Sequence, residues 1–137
     1  MQVLPYLFFD GRCEEAFSFY ERALGAKVQA MMRFKDNPDA AYNPPDSSEK
    51  VLHAELKIGD TTIMASDGMN SGNPQFKGIS LSLAAADSAD AERLFKSLGD
   101  GGQVQMPMSE TFFAHRFGMV ADKFGVSWMV IAAKARG

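Results

Sequence analysis

"VLHAELKIGDTTIMASD", residues 51–67, is the stretch on which the fold turns. Two apolar runs flank Gly59-Asp60, a dipeptide suited to a tight hairpin, so the stretch predicts a pair of adjacent strands. Leu52, Ala54, Leu56 and Ile58 alternate with His53, Glu55 and Lys57. Side chains change face at every residue of a strand, so one face suits helix packing and the other carries titratable groups.

Upstream, Val3 to Phe9 is a β-prone run closed by Asp10-Gly11. It predicts a strand buried on both sides. In "CEEAFSFYERALG" the residues Cys13, Ala16, Phe17, Tyr20 and Leu24 recur at helical spacing, Glu14 and Glu15 suit the positive N-terminal end, and Gly25 stops the helix. "AKVQAMMRF" is the next strand, and residues 35–50, rich in Pro, Asn, Asp and Ser, read as an exposed loop. Residues 3–67 therefore read β-α-β-β-β. Downstream the order repeats: "ISLSLAA", a helix capped at Asp87 or Ser88 with a stripe of Ala91, Leu94, Phe95 and Leu98, then "QVQMPMSE", "FFAHRFGMVAD" and "GVSWMVIAA". Leu24-Gly25 and Leu98-Gly99 end the two helices at matching points, as an internal duplication requires. The predicted class is α+β: one domain over 1–137 made of two tandem βαβββ modules, 1–68 and 78–133, joined by a linker at 69–77.

Composition narrows the partners. The chain has 137 residues, 46% of them hydrophobic, enough for a real core. Its 14 basic and 17 acidic residues give a net charge of −3 without a basic stripe, which argues against nucleic acid. Cys13 is the single cysteine, so neither an internal disulfide nor a thiolate-clustered zinc site can form, and a reducing cytosol fits best. No run approaches the ~20 apolar residues of a membrane span, and the N-terminal residues lack a basic region before their apolar run. The expectation is a soluble, unprocessed cytoplasmic protein. No G-x-G-x-x-G, G-x-x-x-x-G-K-[ST] or G-x-S-x-G occurs, so nucleotide cofactors and serine hydrolysis gain no support.

Two β-α-β-β-β units in this length resemble the vicinal oxygen chelate superfamily of glyoxalase I, bleomycin-resistance proteins and extradiol dioxygenases. The strings "PYLFFDG", "EAFSFYERALGA", "HAELKIGDTTIMASD" and "ETFFAHRFGMVADKFGVSWMV" are similar to the PhnB-like branch, whose members are often labelled 3-demethylubiquinone 3-methyltransferase-like. The resemblance covers nearly the whole chain. It implies a curled mixed sheet from each unit, helices on the convex side, a ligand cavity in the concavity and a homodimer. It also implies four metal-ligand positions, which fall on Pro5, Met64, Gly78 and Met129. Thioethers, a proline and a glycine are poor ligands for hard cations, so no metal and no cofactor is expected. The methyltransferase label meets a physical objection, because "FFDGRCEEAF" has one glycine where a methyl-donor site uses a Gly-rich loop after a parallel strand.

Alternation then places Pro5, Leu7, His53, Glu55, Met64, Ser80, Ser82 and Met129 around the cavity, with Ser127 and Ile131 beside Met129. Phe76 and Phe113, with Phe112, are assigned to cover one end. His53 is the candidate general base and Glu55 its tuning carboxylate or a binder of cations. The competing role for His53 is a hydrogen-bonded, partly buried histidine, and for Glu55 a solvated rim residue. His115 could complete a two-histidine, one-carboxylate set only away from the superfamily's positions. Met31, Met32, Met106 and Met108 read as flexible packing, and Asp67 and Asp122 as hairpin-turn residues whose carboxylates could reach a ligand. The leading function is small-molecule binding in a metal-free cavity. The alternatives are a metal-independent or atypically metallated isomerase or lyase with His53 as base, and a degenerate assembly protein.

Overall fold

The computed structural model describes residues 1–39, 41, 43–68 and 74–134. The chain divides into two compact units, Met1–Pro74 and Gln75–Gly137. Positions 69–73 of the expected linker lie outside the described residues.

Unit 1 runs β1 (Tyr6–Phe8), α1 (Cys13–Leu24), β2 (Lys27–Arg33), β3 (Val51–Ile58) and β4 (Thr61–Ser66). Its sheet has the order β1-β4-β3-β2, with β1 parallel to β4 and the other pairs antiparallel. Strand β1 is shorter than the run Val3 to Phe9 predicts, and Val3 is exposed. Between β2 and β3 the chain makes a 3-10 turn at Phe34–Asp36 and buries Phe34 and Ser47, so the loop is anchored at both ends.

Helix α1 buries Cys13, Ala16, Phe17, Phe19, Tyr20 and Ala23; Leu24 is only half-buried. Gly25 follows at φ 68°, a left-handed conformation that glycine adopts without steric cost, and its N–H donates to the Glu21 carbonyl. No side chain at Arg12 caps the other end. Asp67, just past β4, does so: its Oδ1 accepts from the N–H groups of Gly11 (2.7 Å) and Cys13 (2.9 Å), and its Oδ2 from that of Val51 (2.8 Å). Leu7 of β1 and Phe9 just after it join Ala54, Leu56, Ile63 and Ala65 in the buried core, and the Phe9 ring meets Phe17 edge-on at 6.5 Å.

Unit 2 repeats the plan with β5 (Leu81–Ala84), α2 (Ser88–Leu98), β6 (Gln103–Ser109), β7 (Ala114–Ala121) and β8 (Ser127–Ala133), in the order β5-β8-β7-β6. Asp87 caps α2, accepting from the Asp90 N–H at 2.7 Å, while Asp90 accepts from the Ala86 N–H. Ala91, Leu94 and Leu98 of the helix are buried, as are Val120, Trp128, Val130 and Ala132 of the sheet. Gly118 lets α2 approach β7 closely: a Cβ there would lie 2.8 Å from the Phe95 ring and 2.6 Å from the Met108 sulfur. Asp122 organises the β7–β8 turn, accepting from the N–H groups of Phe124 and Val126 and from the Trp128 indole at 2.9 Å. Among the described residues no helix is long and apolar enough to cross a membrane.

Candidate functional site

Strand register decides which residues meet on the face of the first sheet away from its core. Tyr6 pairs with Met64 and Met64 with Glu55, while His53 pairs with Met32. Paired residues share a face, so Tyr6, Phe8, Met32, His53, Glu55 and Met64 line one surface of unit 1. Leu7 pairs with Ala65 and is 5% exposed, on the core side; Pro5 precedes the strand, half-buried, its carbonyl accepting from the Met64 N–H. The expected lining by Pro5 and Leu7 is therefore corrected to Tyr6 and Phe8. A displacement of one residue reverses every side chain of a strand, and the apolar run Val3 to Phe9 contains no polar marker of parity.

On this surface three groups form a chain. The Tyr6 hydroxyl lies 2.9 Å from His53 Nδ1, and His53 Nε2 lies 3.0 Å from Glu55 Oε2. An ionised carboxylate only accepts, so Nε2 carries a proton; in the neutral ring Nδ1 is then the acceptor and Tyr6 O–H donates to it. Protonating the ring reverses the Tyr6 contact, with Nδ1–H donating to the phenol oxygen. Burial first, and the neighbouring Cys13 sulfur second, push the Tyr6 phenol above its ordinary range, so it remains a proton donor. The His53 and Glu55 side chains are 34% and 41% exposed, which leaves both reachable from solvent. The Phe8 ring packs beside Tyr6 at 5.1 Å and the Tyr6 ring beside His53 at 5.6 Å, setting the polar chain in an aromatic frame.

Unit 2 carries different chemistry at matching register. Met129 pairs with Ser82 and with Met119, just as Met64 pairs with Tyr6 and with Glu55. A thioether thus stands where unit 1 has its carboxylate, and Phe117 where it has its histidine. Ser80 Oγ donates to Ser127 Oγ (3.0 Å), which donates to Gln105 Oε1 (2.8 Å). These residues, with Phe76, Ile79 and Met119, border an open hollow of about 550 Å³. Phe76 and Ser80 belong to its wall; Ser82 and Met129 share a strand face but do not border it. Phe113 stacks edge-on between Phe112 (5.1 Å) and Phe117 (5.3 Å) at the entrance to β7 and does not border this hollow. His115 is exposed.

The carboxylates of Asp67 and Asp122 hold backbone and indole N–H groups, so the role of ligand contact gives way to an architectural one. Among the described residues no three His, Cys, Asp or Glu side chains gather as a metal set requires. His53 and Glu55 bind each other, and the strand positions around them supply thioethers and a phenol, poor ligands for a hard divalent cation. Tyr6, Gln105 and Met119 escaped the sequence reading. Tyr6 was hidden by parity, and Gln105 lies beside a bulge between Val104 and Met106 that breaks simple alternation.

Comparison with known proteins follows the whole chain. The family described as 3-demethylubiquinone-9 3-methyltransferase matches residues 1–131. Protein YjdN of Escherichia coli (strain K12) is 37% identical over 142 residues, covering 98% of this chain and 97% of that protein. The crystal structure of protein PA1353 from Pseudomonas aeruginosa is 45% identical, with a TM-score of 0.87 over 98% of this chain and 99% of that one. A putative 3-demethylubiquinone-9 3-methyltransferase, PhnB protein, from Bacillus cereus is 25% identical, with a TM-score of 0.81 over 97% and 100%. A glyoxalase/bleomycin resistance protein from Albidiferax ferrireducens T118, 13% identical with a TM-score of 0.64 over 96% and 98%, shares the fold.

Proposed function

Because the chain belongs to the 3-demethylubiquinone-9 3-methyltransferase family, in its PhnB-like form and with the glyoxalase/bleomycin resistance fold, we propose that it binds a small oxygenated molecule, without a metal, against the Tyr6–His53–Glu55 face. The observation that carries this reading is the hydrogen-bonded chain itself, 2.9 Å and 3.0 Å long in its two links and half-open to solvent. Three polar side chains held in one orientation inside an aromatic and thioether surface are what a polar ligand group needs for positioning. The Met64 and Met32 thioethers can adapt to an apolar remainder of the ligand.

A second reading is favoured by the same chain. Glu55 fixes the tautomer of His53, and His53 Nδ1 can take the Tyr6 proton as the phenol oxygen takes one from a ligand. That is the equipment of a metal-independent isomerase or lyase acting beside a carbonyl or hydroxyl. Methyl transfer draws less support, since each sheet has a single parallel pair and the β1–α1 turn offers only Gly11 to a nucleotide-like donor. We place the protein in the cytoplasm as a homodimer, to be checked by light scattering after size-exclusion chromatography.

A thermal-shift screen of small hydroxy and oxo acids tests the binding reading. A compound present at 100 times its Kd stabilises by about 2.7 kcal/mol, and His53→Ala or Tyr6→Phe should remove most of that shift while the unliganded melting temperature changes little. Hits indifferent to both variants would sink the proposal. For hits that do depend on His53, exchange of ligand C–H for deuterium, followed by NMR in D2O, separates catalysis from binding: exchange lost in His53→Gln means proton transfer, and no exchange in the unmodified protein means binding alone.

A further inference from the structure

We propose that the hollow of unit 2 is a binding site and that it takes an organic oxyanion with a flat apolar body. Its volume of about 550 Å³ falls within the ~300–1,000 Å³ typical of small-molecule sites. Phe76, Ile79 and Met119 supply apolar wall. The Phe76 ring abuts the turn after β7, its edge 3.9 Å from where a side chain at Gly125 would begin, and that turn is itself held by Asp122. One side of the hollow is thus a fixed ring face against which a planar group can lie.

The polar side has a definite direction. Ser80 donates to Ser127 and Ser127 donates to Gln105 Oε1, so the chain of hydroxyls ends on the amide oxygen and orients the group. Gln105, which borders the hollow, then keeps the two N–H donors of its Nε2. Ser127, 9% exposed, anchors this arrangement in the sheet. Lys77 stands on the wall, and among the described residues no acidic side chain borders the hollow. Two amide donors and one ammonium carried by residues of the same wall select for a carboxylate or a phosphate ester over a neutral or cationic group. Tyr6, His53 and Glu55 are not among the residues that border this hollow.

The test titrates the whole protein with 2-naphthoate, 2-naphthyl phosphate and neutral 2-naphthamide by calorimetry. At least one anion should bind tenfold or more tighter than the amide, and the tighter of the two identifies which oxyanion the site prefers. Gln105→Glu, whose carboxylate still accepts from Ser127 but adds a negative charge and loses both donors, should weaken anion binding at least tenfold. Lys77→Glu, an exposed change that leaves the fold alone, should do the same, with Trp128 fluorescence checking the fold of both variants. His53→Ala should leave the anion's Kd unchanged. Equal binding of amide and anions, anion affinity untouched by Lys77→Glu, or a loss in His53→Ala would each overturn the proposal.

Discussion

Asp67 gathers three backbone N–H groups from two distant parts of unit 1, the start of α1 and the start of β3. Asparagine there offers one acceptor and turns an N–H donor toward an N–H, so Asp67→Asn should cost about 2–3 kcal/mol in urea denaturation. Replacing exposed Glu14, which pairs with Arg33 at 2.8 Å, should barely register because solvent screens that pair. The neighbouring Cys13 thiol is pushed far up, by burial first and then by the charges of Asp67 and Glu14. The folded state therefore keeps a proton that the unfolded chain loses near pH ~8.5, and stability falls as pH rises above that value. Melting temperature measured from pH 7 to 10 should decline less steeply in Cys13→Ala, and the native thiol should resist alkylation until the protein unfolds. In the sequence both residues looked ordinary, one a turn residue and the other a helix-stripe position. Their importance comes from a contact spanning more than fifty positions, which no local pattern announces.

Elements were legible where a period ran long enough to be unambiguous. Both helices and the hairpin of β3 and β4 carry eight or more patterned residues, and their alternation or stripe matches the observed burial. Strand β1 is the opposite case: three residues long, uniformly apolar in sequence, and parallel-paired, so nothing local set its parity and the site lost Tyr6 to Pro5 and Leu7. The bulges of β6 hid Gln105 in the same way. The close approach of α2 to β7 at Gly118 makes an element-level prediction. Gly118→Ala drives a methyl into Phe95 and Met108, and although both side chains can move, the Met106 carbonyl at 3.2 Å cannot readily do so. A destabilisation of about 1–3 kcal/mol is expected by chemical denaturation, partly recovered when Met108 is shortened to Ala in the same chain.

At the scale of the molecule, duplication preserved architecture and let chemistry diverge. The strand orders match, yet unit 1 holds a phenol, an imidazole and a carboxylate where unit 2 holds a hydroxyl, an aromatic ring and a thioether. Affinity for a ligand held at the Tyr6–His53–Glu55 face should fall at least tenfold in His53→Gln and remain intact in Met119→Leu, as calorimetric titration can measure. The repeat also leaves β2 and β6 at the outer margins of their sheets. Pro107 sits within β6 and offers no N–H, and irregular pairing on either side of Met106 bends the strand away from flatness. That margin is a poor template for a stray chain from another copy to lengthen the sheet. Exposed Val104 and Met106 can then remain in water without seeding fibrils, and Pro107→Val should shorten the lag before turbidity in a concentrated, agitated sample.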